Sequence, residues 1–246
     1  MIAYLTSHIG GSYKKNGIRI PTWLSTENGL LDSLQKHWKD NSKVLIMSAD
    51  ADNTEINDSI RNIFAASFPM SGLSIGQMYI CDKRNEKLAE EIADYDVLIL
   101  AGGHVPTQNN FFKRIRLEER IHEFDGILIG ISAGTMNSAE IVYAQPELEG
   151  ESIDEEYERF LSGLGITKLM ILPHYQDIKD DILDGKRLFE DITYPDSYGR
   201  EFYDLEDVSY FMIENKTTTL FGTAYLIKDG NIQQICEKDK SINLWR

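Results

Sequence analysis

Short, unbroken apolar runs alternate with amphipathic stretches along the first half of the chain. Lys43-Val44-Leu45-Ile46-Met47-Ser48 and Asp96-Val97-Leu98-Ile99-Leu100-Ala101 are apolar throughout their centres, as is Gly126-Ile127-Leu128-Ile129-Gly130-Ile131. Runs of this length and continuity predict strands buried on both faces. Leu73 to Cys81 alternates in part and predicts another strand. The segments between them carry helical spacing: Asn53 to Ser67, Glu86 to Ala93, Thr107 to Phe124 in one piece or two, and Thr135 to Tyr143. Strands separated by helices predict an α/β fold with a mostly parallel central sheet covered on both faces.

The pattern changes after Tyr143. Gln145 to Gly165 is acidic and loop-like, with one helical stretch around Tyr157 to Phe160. Lys168 to Leu172 predicts a strand that ends at Pro173-His174, and Ile178 to Glu190 predicts a helix. Tyr194 to Asp207 reads as an ordered loop. Val208 to Ile213, Thr219 to Ile227 and Ile232 to Ile235 read as strands. Lys228-Asp229-Gly230-Asn231 has the chemistry of a turn and predicts a C-terminal antiparallel hairpin. With no repeat, Pro-rich linker or low-complexity block, residues 1–246 are expected to form one domain.

Charge narrows the partners. Against 40 acidic residues the 246-residue chain has 25 Lys and Arg, for a net charge of −15. That balance argues against nucleic acid and against an anionic membrane surface, both of which need a basic patch. Two cysteines, Cys81 and Cys236, lie far apart in apolar surroundings and are expected in the core. No Cys/His cluster has metal-ligand spacing, so no metal and no cofactor is expected. The N-terminal residues lack the basic and long apolar segments of a leader, and no apolar stretch reaches the length of a membrane span, so a cytoplasmic location is expected.

The chemistry concentrates in Gly130-Ile131-Ser132-Ala133-Gly134. A G-x-S-x-G between a buried strand and a helix is the setting of a nucleophile elbow, where a sharp turn lifts the serine hydroxyl above the sheet. A plain strand-to-helix turn with a capping serine would use the same residue types. A serine nucleophile also needs a base. Parallel sheets present their ligand-facing residues at the carboxyl ends of the strands, and His174, after Pro173 at such an end, ranks first among the five histidines. His104, after Gly102-Gly103, ranks second. His8 follows a short first strand; His37 and His122 read as surface residues. A histidine one strand after the serine, with three strands still to come, departs from the order Ser, acid, His at the C-terminus of the α/β-hydrolases.

Three motifs in this order resemble peptidase family S51, the group of aspartyl dipeptidase (peptidase E) and cyanophycinase. They are Ala101-Gly102-Gly103-His104-Val105-Pro106-Thr107-Gln108, Gly130-Ile131-Ser132-Ala133-Gly134-Thr135-Met136-Asn137 and Leu172-Pro173-His174-Tyr175. The resemblance runs from about residue 40 to 180. It implies a three-layer sandwich like that of class I glutamine amidotransferases. It also implies Ser132 as nucleophile, His174 as base, and an oxyanion hole from the Gly103 and Ala133 amides. Gly102, His104 and Gln108 would bind substrate, with Gln108 shaping the pocket. The family's acid is usually a glutamate in the C-terminal strand region, which selects Glu214; Glu147 and Asp177 are the alternatives. Lys113, Arg114 and Arg116 are candidates to bind a substrate carboxylate, and exposed helix charges are the plainer reading of them.

The expectation is a serine peptidase acting on short peptides. An amidase or esterase acting on a small acyl group, or a non-catalytic binding domain, would keep the fold. The expected partner is a short peptide substrate, and a homodimer is the candidate assembly. Activity should rise with pH as the base loses its proton, between about pH 6 and 7.5.

Overall fold

The computed structural model describes residues 1–244. The strands are β1 (Ile2–Thr6), β2 (Gly10–Lys15), β3 (Ile18–Leu24), β4 (Ser42–Met47), β5 (Ile75–Cys81), β6 (Val97–Leu100), β7 (Ile127–Ile131), β8 (Ile141–Tyr143), β9 (Phe160–Ser162), β10 (Met170–Leu172), β11 (Ile182–Leu183), β12 (Lys186–Arg187), β13 (Glu201–Leu205), β14 (Tyr210–Glu214), β15 (Thr217–Phe221), β16 (Ala224–Lys228), β17 (Asn231–Cys236) and β18 (Ser241–Leu244). The α-helices are α1 (Leu30–His37), α2 (Thr54–Met70), α3 (Val105–Arg114), α4 (Leu117–Ile121), α5 (Ala133–Met136), α6 (Tyr175–Ile178) and α7 (Tyr194–Asp196).

Eight strands form the central sheet in the order β18-β15-β14-β1-β7-β6-β4-β5. The five from β1 to β5 are parallel, and β14, β15 and β18 extend the β1 edge antiparallel. The continuous apolar runs are the parallel strands because each feeds two cores. Leu45, Leu98 and Leu128 point to one face, where Phe111, Phe112, Leu117 and Ile121 of α3 and α4 cover them. Val44, Ile46, Val97, Ile99 and Ile129 point to the other, against Leu30, Leu34 and Phe68 of α1 and α2. Each such fully buried aliphatic side chain contributes about 1.5–3 kcal/mol of apolar burial. A second sheet, β10-β13-β16-β17, packs on the α3 side through Tyr203 and Leu205. Both cysteines are buried and free, and burial pushes the Cys81 thiol up to about 12.

The stretch around Tyr157 to Phe160, expected to be helical, is not: Phe160 opens β9 and pairs with Tyr143. Four further expectations differ from the structure. The helix expected over Thr135 to Tyr143 stops after one turn at Met136. The carbonyls of Asn137, Ser138 and Ala139, which would continue it, accept instead from the amides of Leu164, Ile166, Thr167 and Gly165, and Ile141–Tyr143 pairs as a strand with β9. Ile178 to Glu190 is not a helix. Asp184 and Gly185 take positive φ (52° and 81°) and close the β11–β12 hairpin, followed by a π-helical turn at Leu188–Thr193. The loop expected over Tyr194 to Asp207 contains α7 and β13. The strand expected over Thr219 to Ile227 breaks at Gly222 (φ 89°), sending β15 and β16 to different sheets. Across Asp229-Gly230, β16 and β17 pair antiparallel. The helix expected over Thr107 to Phe124 is two, α3 and α4, divided where Arg116 turns left-handed (φ 53°).

No helix among the described residues is long and apolar enough to cross a membrane.

Candidate active site

The parallel strands converge on Ser132. Residue by residue, β7 is paired to β1 up to Ile131↔Thr6 and to β6 up to Gly130↔Leu100, and the chain then turns sharply. Ser132 adopts φ 51°, ψ −114°, outside the ordinary regions for a residue with a side chain. Such a conformation costs on the order of 1–3 kcal/mol and persists only where the surroundings impose it. Here they do. The Ser132 amide donates to the Thr6 carbonyl at 3.0 Å. Thr135 Oγ1 donates to the same carbonyl at 2.7 Å, and Thr6 Oγ1 donates to the Gly130 carbonyl at 2.8 Å. The two glycines are required by contact. A Cβ on Gly134 would stand 2.2 Å from the Leu100 carbonyl oxygen, and one on Gly130 would stand 3.0 Å from Thr135 Cα.

His174 follows β10 and is itself left-handed (φ 68°). This bend at the strand end directs the imidazole back over the sheet. Its Nε2 lies 3.0 Å from Ser132 Oγ, and its Nδ1 lies 2.7 Å from Asp207 Oδ1. Fully buried Ser7, at the end of β1, joins the same group. Its hydroxyl accepts from the His174 amide at 3.0 Å and donates to Asp207 Oδ1 at 2.7 Å. Gln176 Oε1 accepts from the Asp207 amide at 3.0 Å. Partial burial raises the Asp207 pKa, but the hydrogen bonds from His174 and Ser7 outweigh it and leave the carboxyl at about 2. An ionised Asp207 accepts, so Nδ1 carries the ring hydrogen and the Nε2 lone pair faces the serine hydroxyl.

The acid beside His174 is therefore Asp207, not Glu214. Antiparallel β14 carries Glu214 beyond Ile213, which pairs with Ala3 at the start of β1. At that opposite end of the strands Glu214 lies 3.9 Å from His37 Nε2. Asp177 is exposed, and its carboxylate accepts from Gln176 rather than from the imidazole. Its ligand atom lies within 4.8 Å of those of His174 and Asp207, a trio able to meet a cation, although His174 Nδ1 and Asp207 are already bonded to each other. Glu147 is exposed by surface area, yet the cavity wall around it desolvates its carboxyl and raises its pKa. It lines the cavity without contacting His174.

The remaining expected residues divide in the same way. A Cβ on Gly102 would stand 3.3 Å from Ser132 Cβ, and Gly103 lines the cavity with Ser132. Ala133 opens α5 directly after the serine. His104 occupies the N-cap position of α3, and its ring bonds residues other than Ser132. Its Nδ1 meets Thr107 Oγ1 and its Nε2 meets Glu151 Oε1, both at 2.8 Å. Gln108 does not shape the pocket. It is fully buried, donating to the Ala101 carbonyl at 2.7 Å and accepting from Asn137 Nδ2 at 3.1 Å, so it ties the Gly-Gly loop to the segment after Ser132. Arg114 and Arg116 are paired with Glu86 and Glu119, and Lys113 lines a separate small cavity.

Sequence reasoning missed Asp207 and Ser7. Asp207 stands in an acidic stretch with no local periodicity, and what places it is the pairing of β10 with β13. Leu172 pairs with Asp204, so residues two past the one and three past the other leave the same end of neighbouring parallel strands. Ser7 carries a weaker signal, as the first polar residue after an apolar strand.

Two cavities meet at Ser132. One, of about 410 Å³, is bounded by Val105, Met136, Glu147, Asp181, Leu183 and Leu188. The other, of about 580 Å³, lies between the β2–β3 hairpin and α2. Ser132, His174 and Gly103 line both.

This chain belongs to Peptidase family S51, whose family model matches residues 23–221. Among solved structures it is similar to a peptidase from an acI-B1 Actinobacterium, with a TM-score of 0.68 and 15% identity over 99% of this chain and 96% of that one. It is also similar to a protein of Listeria monocytogenes EGD-e described as a candidate peptidase E, with a TM-score of 0.57 and 12% identity over 96% of this chain and 98% of the other. A search of curated proteins finds no match. Family and fold together make the chain a peptidase of α/β architecture.

Proposed function

We propose that the protein is a serine peptidase that hydrolyses short peptides through Ser132, His174 and Asp207. The observation that carries this reading is the chain of contacts Ser132 Oγ–His174 Nε2 at 3.0 Å and His174 Nδ1–Asp207 Oδ1 at 2.7 Å. Nucleophile, base and orienting acid are each within hydrogen-bond reach of the next.

In the proposed reaction Ser132 Oγ attacks the scissile carbonyl carbon while its proton passes to His174 Nε2. Asp207 stabilises the resulting imidazolium without taking the proton. The carbonyl oxygen becomes an oxyanion and is held by the Gly103 and Ala133 amides, neither of which donates a hydrogen bond elsewhere among the described residues. The tetrahedral adduct collapses, the C–N bond breaks, and His174 returns the proton to the leaving amine. Water, deprotonated by the same imidazole, then attacks the acyl-serine ester, and the C–O bond to Ser132 breaks as the hydroxyl recovers its proton. Cavities limited to about 410 and 580 Å³ favour a few residues on either side of the scissile bond. A dipeptide-library turnover assay tests the reading: wild type should release amines from short peptides, and Ser132→Ala should not.

A further inference from the structure

The inference rests on the reading of Ser132 as the attacking group and starts from a difference in charge between the two chambers beside it. The larger chamber has a basic floor. Lys14 and Arg19 are directly paired across the β2–β3 hairpin, which puts both side chains on one face, and Ser12, two residues before Lys14, shares it. Arg19 Nη1 donates to Ser12 Oγ at 3.3 Å. All three line the chamber with His8. No Asp or Glu lines it among the described residues, in a chain with 40 acids. His8 accepts from the Gly10 amide at Nδ1, and burial lowers its pKa against the raising pull of Asp207, so the neutral ring carries its hydrogen on Nε2. The opposite wall is α2. Its Ile56, Ile60, Ile63 and Phe64 recur at helical spacing along one face, and Ile56 is 55% exposed. The smaller chamber inverts this charge: its acidic groups are Glu147 and Asp181, and no Lys or Arg lines it among the described residues.

We propose that the larger chamber binds the free C-terminal carboxylate of a short peptide through Arg19 and Lys14, with an apolar C-terminal side chain against α2, while the Glu147–Asp181 chamber receives a non-acidic residue. A carboxylate there meets a guanidinium, an ammonium and an imidazole N–H. A C-terminal amide would forfeit the charge-assisted bonds. An acidic residue in the smaller chamber would face Glu147 and Asp181 with no cation to offset them.

Binding can be measured without turnover. In Ser132→Ala protein, calorimetric titration with Lys-Leu, Lys-Leu amide and Asp-Leu should give a dissociation constant for Lys-Leu about tenfold lower than for the other two. Adding Arg19→Gln and Lys14→Gln should bring Lys-Leu to the affinity of its amide. Equal affinity of acid and amide, tighter binding of Asp-Leu, or a preference for the acid that survives the double substitution would each overturn the proposal. Fluorophosphonate labelling of the parent protein separates this result from the underlying reading. A tenfold acid preference without labelling at Ser132 would keep the carboxylate site and remove the serine mechanism. Labelling with no acid preference would do the reverse.

Discussion

Asp207 Oδ1 lies 2.7 Å from His174 Nδ1, and Ser7 donates to the same oxygen from the end of another strand. With Ser132 Oγ at Nε2, the imidazole is held by groups from three parts of the chain, and only Asp207 carries negative charge. Replacing Asp207 by Asn would offer Nδ1 an amide that can present a donor and favour the wrong tautomer. Asp207→Asn should lower kcat by about 10²–10⁴-fold with little change in KM. Glu214→Gln, at the end of β14 away from Ser132, should leave kcat within about twofold of wild type. Steady-state kinetics on one dipeptide measures both, and a larger loss from Glu214→Gln would displace Asp207 from its role.

Ser7 positions rather than reacts. Ser7→Ala removes the acceptor for the His174 amide and one donor to Asp207. It should cost about 1–2 kcal/mol of stability, read by urea denaturation, and lower kcat by roughly tenfold. A structural role alone would leave the pH profile unmoved. With the Ser7 donor gone, Asp207 Oδ1 is left to hold the protonated imidazole alone and holds it more strongly, so the acidic limb of kcat/KM should move to higher pH than in wild type.

The pH dependence follows from the same group. The base must be neutral to accept the serine proton, so kcat/KM should rise with pH and flatten once imidazole has lost its proton. Asp207, held at about 2, stays ionised throughout that rise, and the limb should therefore have a slope of one. For stability the sign is that of a depressed carboxyl. Its contribution is complete above the unfolded value near 3.9 and is lost as pH falls through about 2. A limb with slope two, recorded between about pH 4 and 8, would mean that a second group must ionise for activity.

Asp204 presents the opposite case. It is fully buried in β13, and its carboxyl oxygens make no well-formed hydrogen bond among the described residues. Burial raises its pKa well above the usual carboxylate value. The folded chain thus holds a proton that the unfolded chain releases above about pH 4, so stability from this group declines as pH rises towards its folded pKa. Asp204→Asn should remove that decline and raise stability at pH 7 by about 1–3 kcal/mol. Urea denaturation at pH 5 and pH 7 measures it; a variant less stable than wild type at pH 7 would show that the carboxyl has a partner that matters.

The parallel strands were legible because burial on both faces writes itself as an unbroken apolar run, as in Val97–Leu100. Ser132 and His174 were legible because strand ends are marked locally, by Gly130 and Gly134 around the one and Pro173 before the other. Asp207 was not, since its position depends on β10 lying beside β13, a pairing no local pattern records. The short α5 was hidden for a similar reason. Residues Thr135 to Tyr143 have acceptable helical spacing, and what stops the helix is a loop some 25 residues later that takes the carbonyls of Asn137 to Ala139. Nor did the sequence mark Arg19 and Lys14 as lining one cavity, because only the hairpin register sets them side by side.

A Ser132 nucleophile activated by His174 should react with an electrophile that mimics the acyl centre. Incubation of the folded protein with a fluorophosphonate probe, followed by peptide mapping, reads that reactivity at a single residue. A single covalent adduct on Ser132 is expected, lost in Ser132→Ala and slowed by at least a hundredfold in His174→Ala. An unmodified Ser132 in protein confirmed folded by circular dichroism, or labelling that proceeds at the wild-type rate without His174, would contradict it.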